Sequence, residues 1–91
     1  MLSIIWRRSA SDDLATILAY IANEDPQAAR RLKERVESAV LPLAQHPYLY
    51  RHGRVPGTRE VVIHPNYILV YRIDAECIEV VSVLHSRQEY P

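Results

Sequence analysis

The chain has 91 residues, which gives one domain spanning residues 1–91 and no second core. Its 48% hydrophobic and 24% charged residues exclude global disorder. One cysteine, Cys77, excludes an internal disulfide and a thiolate zinc site. No apolar run approaches the roughly 18–20 residues that cross a bilayer, and the arginines of MLSIIWRRSA follow its apolar stretch, unlike a secretory signal. The expectation is a cytoplasmic protein with no membrane contact.

Net charge is zero, but its distribution is uneven. Residues 46–72 hold Arg51, Arg54, Arg59 and Arg72 against Glu60 alone, with His46, His52 and His64. Residues 73–91 hold Arg87 against Asp74, Glu76, Glu79 and Glu89. Ten of the eleven cations are arginine, whose fork suits bidentate contact with phosphate or carboxylate.

In chain order, LSIIWR at 2–7 reads as a short strand. Ser9 with Asp12 three residues on reads as a capping arrangement opening a helix, with Asp12 and Asp13 near its positive end. Leu14, Ile17, Leu18 and Ile21 form one buried face of that helix, which runs to about Ala22. Asp25 caps a second helix and Pro26 opens it. That helix carries Ala29, Leu32, Val36 and Val40 on one face, and Pro42 loosens its last turn. Residues 46–58 hold both glycines and read as a loop.

Three strands follow, Arg59–His64, Tyr67–Ile73 and Cys77–His85, joined by turns short enough for hairpins. The runs are apolar enough to be covered on much of both faces. The order β-α-α-β-β-β predicts a two-layer α+β domain, a helical hairpin on a small antiparallel sheet. The first strand joins at an edge or beside the last strand.

Candidate chemistry gathers on His46, Arg51, His52, Arg54, Arg59, His64, Arg72, His85, Arg87 and Tyr90. Pairing around Pro65-Asn66 brings His64 near Tyr67, with His85 ending the neighbouring strand. Imidazole exchanges protons near neutral pH and arginine holds phosphate, a set suited to metal-independent RNA cleavage. Structural roles are the plain alternatives: a strand-end histidine is more often a hydrogen-bonder, and the arginines around the 51–59 loop serve equally as a solvated surface. The histidine spacing fits no helical metal motif, so neither metal nor cofactor is expected.

A pattern runs through the whole chain: Trp6; Ala10-x-x-Asp13-Leu14-x-x-Ile17-x-x-Tyr20-Ile21; Ala28-Ala29; Leu43-x-x-His46-Pro47; Gly53-Arg54-Val55-Pro56-Gly57-Thr58-Arg59-Glu60; Pro65-Asn66-Tyr67-Ile68-Leu69-Val70-Tyr71-Arg72; and Val83-Leu84-His85-Ser86-Arg87-Gln88-Glu89-Tyr90-Pro91. It resembles the RelE/ParE toxin superfamily of bacterial type II toxin–antitoxin systems, closest to the RelE/StbE branch. The resemblance implies a toxin neutralised by a cognate antitoxin, which should cover the outer groove of the helical hairpin and the sheet edge as an extended or helical segment with acidic and apolar residues. It implies one of two activities. RelE-like members are endoribonucleases that cut mRNA on the ribosome, and ParE-like members inhibit DNA gyrase by binding. The mRNA interferase is the leading expectation. Carried over by position, it assigns catalysis to His85, Arg72, Arg59 and Tyr90, and RNA or phosphate binding to Arg51, Arg54, His64 and Arg87. The lysine-rich strand of RelE itself is missing, since the one lysine, Lys33, lies on the second helix, and His85 looks more like the histidine-using YoeB and YafQ variants.

Overall fold

A computed structural model describes residues 1–88. Its elements are β1 (Ser3–Trp6), α1 (Arg8–Ala22), α2 (Pro26–Val40), a 3₁₀ turn (Leu41–Ala44), β2 (Arg51–His52), β3 (Thr58–His64), β4 (Tyr67–Ile73) and β5 (Cys77–His85). The sheet order is β1-β5-β4-β3-β2, with β1 parallel to β5 and every other pair antiparallel. β1 therefore forms an edge beside the last strand, as expected. β2, only two residues long, lies within the expected loop and pairs with Arg59 and Glu60.

The hairpin covers one face of the sheet. Ala10, Leu32, Val36, Val40 and Leu43 meet Val61, Leu69, Tyr71, Ile78, Val80 and Val83 in the main core. Ile68, Val70 and Leu84 form a second buried cluster, so the central strands are covered on both faces. The strands' two-residue period separates these sets. In β3 one extra residue breaks the register between Val62 and His64, which returns His64 to the helix-covered side opposite Tyr67.

Two local expectations need correction. Helix α1 starts at Arg8 after an N-cap at Arg7 with no side-chain cap, so Ser9 and Asp12 form no capping arrangement and no acid lies in the first turn. Ser9 Oγ donates to the Val81 carbonyl, and Asp13 accepts the Val83 N–H at 3.2 Å. β1 stops opposite Val80, so these two side chains satisfy the stretch of β5 edge that β1 leaves bare. The second helix does begin as read, with Asp25 accepting the Ala28 N–H and Pro26 following. Pro42 has no N–H to continue the α ladder, and the chain tightens into the 3₁₀ turn. Among the described residues no helix is long and apolar enough to cross a membrane.

Candidate functional site

The basic centre of the sequence divides among three places. The first lies on the helix-covered side. Arg59 donates to the Tyr50 carbonyl at 2.7 Å, and its guanidinium sits 5.0 Å from the Tyr48 ring centroid. Tyr50 donates to the Ala39 carbonyl and meets Tyr71 edge-on at 6.3 Å, while Tyr71 donates to the Pro47 carbonyl. Burial pushes both phenols, Tyr50 and Tyr71, above their ordinary value, so each stays a hydrogen-bond donor. Arg59 thus fastens the segment from Pro47 to Tyr50 against the domain.

The second place is the opposite face. Glu60, 3% exposed, accepts from Arg51 Nε and Nη2 and from the Arg54 backbone N–H, with Arg54 Nε at 3.9 Å. A buried carboxylate requires such partners, and here two of the candidate phosphate-binding arginines supply them. Arg54 also donates to the Ser86 and Gln88 carbonyls, tying the segment after β5 across this face. Beneath lies a cavity of about 430 Å³ lined by Val55, Thr58, Val70, Arg72, Leu84 and Gln88. Arg72 is exposed at its rim, opposite Thr58 and Glu79 in the ladders.

The third place is the far end of β4. His64, Tyr67 and His85 stand in a row, with centroids 5.8 Å and 5.6 Å apart in turn. This grouping was legible from the strand pairing. Each imidazole accepts a backbone N–H at Nδ1, His64 from Asn66 and His85 from Arg87. Those bonds put the proton of a neutral ring on Nε2. Arg87 itself is exposed.

The structure does not bring His85, Arg72 and Arg59 together. His85 pairs with Tyr67, and Arg72 stands five residues further along β4, about 17 Å away on the opposite face. Arg59 pairs with Tyr71 on the helix-covered side. Tyr90 lies outside the described residues. Among the described residues no group of three His, Cys, Asp or Glu side chains gathers as a metal site.

Sequence reasoning missed Glu60 as the common partner of Arg51 and Arg54. The available signal was an acid at an inward strand position in an otherwise basic segment. It also missed Asp13, whose partner lies 70 residues away.

The family model for the ParE toxin of the parDE type II toxin–antitoxin system matches residues 4–90. The chain belongs to the ParE toxin family. It is therefore a toxin of a type II toxin–antitoxin system, within the RelE/ParE superfamily, and its partner is an antitoxin. It is 40% identical to the protein Y4kP of Sinorhizobium fredii over 89 residues, 97% of this chain and 92% of that one. Toxin RelE2 of Caulobacter vibrioides is 31% identical over 88 residues, 94% of this chain and 97% of that one. The fold matches the chromosomal ParDE system from P. aeruginosa with a TM-score of 0.81 at 24% identity, covering 93% and 96% of the two chains. It matches the YoeB/ParE toxin from Agrobacterium tumefaciens at 0.67 and 18%, covering 98% and 100%. The expected α+β architecture of a helical hairpin on a small sheet is the fold of these toxins.

Proposed function

We propose that this ParE-family toxin acts by binding and blocking its target, with DNA gyrase as the target the family resemblance implies, rather than by cutting mRNA. One observation carries the reading: Arg72 and Arg59, the two arginines the resemblance assigns to catalysis, both lie toward the far end of β4 from His85, Arg72 on the opposite face. An acid–base catalyst works within hydrogen-bond reach of the reacting atom, roughly 3 Å, or through one water. About 17 Å and a sheet separate Arg72 from His85. Arg59 directs Nη1 to the Tyr50 carbonyl, and Glu60 engages Arg51 and Arg54. Blockade needs surface complementarity and no proton donor.

RNA cleavage has one observation in its favour, the row of His64, Tyr67 and His85 with both Nδ1 atoms occupied by backbone donors. In that reading His85 Nε2 exchanges the proton, with Arg87 and Tyr90 following in the chain. Inducing the toxin without antitoxin separates the two. Blockade of gyrase gives double-strand DNA breaks and the SOS response with intact mRNA. Discrete mRNA cuts without DNA damage overturn the proposal.

A further inference from the structure

The β1 edge of the sheet is complementary to itself. Ser3 donates its N–H to the Glu76 carbonyl and Arg7 donates to that of Val80, so Ser3, Ile5 and Arg7 turn their backbone groups toward β5. By the two-residue period, Leu2, Ile4 and Trp6 turn theirs outward. Ala44 takes the Leu2 N–H. The outward groups of Ile4 and Trp6 meet no strand, because β1 is the last in the sheet order.

Side chains on this strand alternate likewise. Leu2, Ile4 and Trp6 pack against the main core, and Ile5 stands 51% exposed on the opposite face. Beside it, Arg7 Nη2 donates to Glu79 at 2.9 Å, which neutralises the acid across from Ile5 in β5. Leu41, 70% exposed, flanks the edge on the helix side, where it shares a cavity with Ile4 and Trp6. An apolar edge left bare in this way is a template for a further strand.

Charge decides which strand fits. Asp74 and Glu76 line a cavity with Ser3 and Ile5 near the start of β1. Arg7 and Arg8, both exposed, stand just past its end. Neither acid forms an ion pair among the described residues, nor does Arg8. A second β1 laid antiparallel brings the basic end of each copy to the acidic end of the other. A parallel one would set like charges together. The outward groups also fix the register. Ile4 of each copy exchanges both backbone bonds with Trp6 of the other, so Ile5 faces its own equivalent. Arg7 then stands opposite Ser3 of the second copy, beside that copy's Asp74 and Glu76.

We infer that the toxin forms a two-fold dimer through β1, in which the two five-stranded sheets join into one. Such a contact closes on itself. Its axis runs perpendicular to the sheet, so the two faces holding Arg72 lie on the same side. The contact is small, at the low end of specific interfaces (~1,200 Å²), and the dimer dissociates in the micromolar range. The inference rests on neither reading of the target.

Sedimentation of the full chain, freed of antitoxin, should pass from monomer to dimer across the micromolar range. A monomer up to millimolar concentration overturns the inference. So does growth beyond a dimer, which would mean that β1 of one copy joins the β3 edge of the next. Ile5→Glu and Ile5→Lys each put like charges on the axis and should weaken association at least tenfold while keeping the wild-type circular dichroism. An equimolar mixture of the two should recover association, and a mixture that does not overturns the register. In a Cys77→Ser background, Ile5→Cys should oxidise to a linked dimer, since facing Cα atoms of a non-hydrogen-bonded pair lie about 4.5 Å apart. Val62→Cys, 53% exposed on the other edge, should stay unlinked. Linkage through Val62→Cys and not through Ile5→Cys overturns the inference. So do Ile4 and Trp6 amides that gain protection from exchange only when antitoxin is added, which would give the edge to that partner.

Discussion

The segment from His46 to Glu60 and the outer face of α2 carry the same kind of residue to different ends. In the first, Arg51 and Arg54 are bound to Glu60, while Arg59 holds Tyr50 and lies over Tyr48. In the second, Arg31 and Arg35 face a groove without an ion pair among the described residues. A basic count in sequence therefore measures charge, not its availability to a ligand. The buried carboxylate of Glu60 and the carbonyl of Tyr50 need donors, and the nearby arginines meet that need first. Surface arginines on a helix have no such obligation.

That contrast predicts how substitutions divide between stability and binding. Glu60→Ala removes the common partner of two arginines and is expected to cost about 3 kcal/mol, the low end for breaking a buried charge pair because the arginines themselves reach solvent. A urea titration measures it; a loss under 0.5 kcal/mol would mean that Arg51 and Arg54 are held by something else. Gly53→Ala is next. Its added Cβ meets the Thr58 hydroxyl, which already donates to the Val55 carbonyl and cannot swing away without breaking that bond. Overpacking of this kind costs about 2 kcal/mol, readable as a lowered thermal midpoint.

Tyr71→Phe should cost about 1 kcal/mol for the lost bond to Pro47, and it changes the pH dependence. Burial raises the Tyr71 phenol above its ordinary 10.0 in the folded chain. The unfolded chain ionises first, so stability present below about pH 10 is lost as pH rises toward the folded value. In Tyr71→Phe, this residue's part of that alkaline decline should vanish, and denaturation at pH 8 and pH 10.5 shows whether it does. At the small end, Arg31→Ser with Arg35→Ser should change stability by less than about 0.5 kcal/mol. A larger loss would place those arginines among the structural ones and erase the contrast.

Much of the fold was legible because its signals are local. Asp25-Pro26 sets the start of α2, the apolar period sets both helices, and short polar breaks set the hairpins. Even the row of His64, Tyr67 and His85 follows from strand pairing around a short turn. What could not be read depends on partners brought close only by folding. Ser9 looks like a cap, yet its hydroxyl serves the bare edge of β5, and Asp13 does the same from α1. The fate of the arginines was hidden for a related reason. Whether Arg59 meets a phosphate or the Tyr50 carbonyl is decided by the path of residues 47–50, which follows no repeating pattern. The place of His85 relative to Arg72 turns on which face each strand position occupies, and one bulge on β5 lies between them.

The central claim is that toxicity comes from blockade by binding and needs no proton transfer at His85. The most direct test is growth inhibition by His85→Ala, expressed without antitoxin and shown to be folded by its circular dichroism and thermal midpoint. Blockade predicts that the variant inhibits growth as the wild type does, with the same DNA damage. Loss of toxicity in the folded variant, with mRNA cleavage falling by about 10²–10⁴-fold, would contradict it.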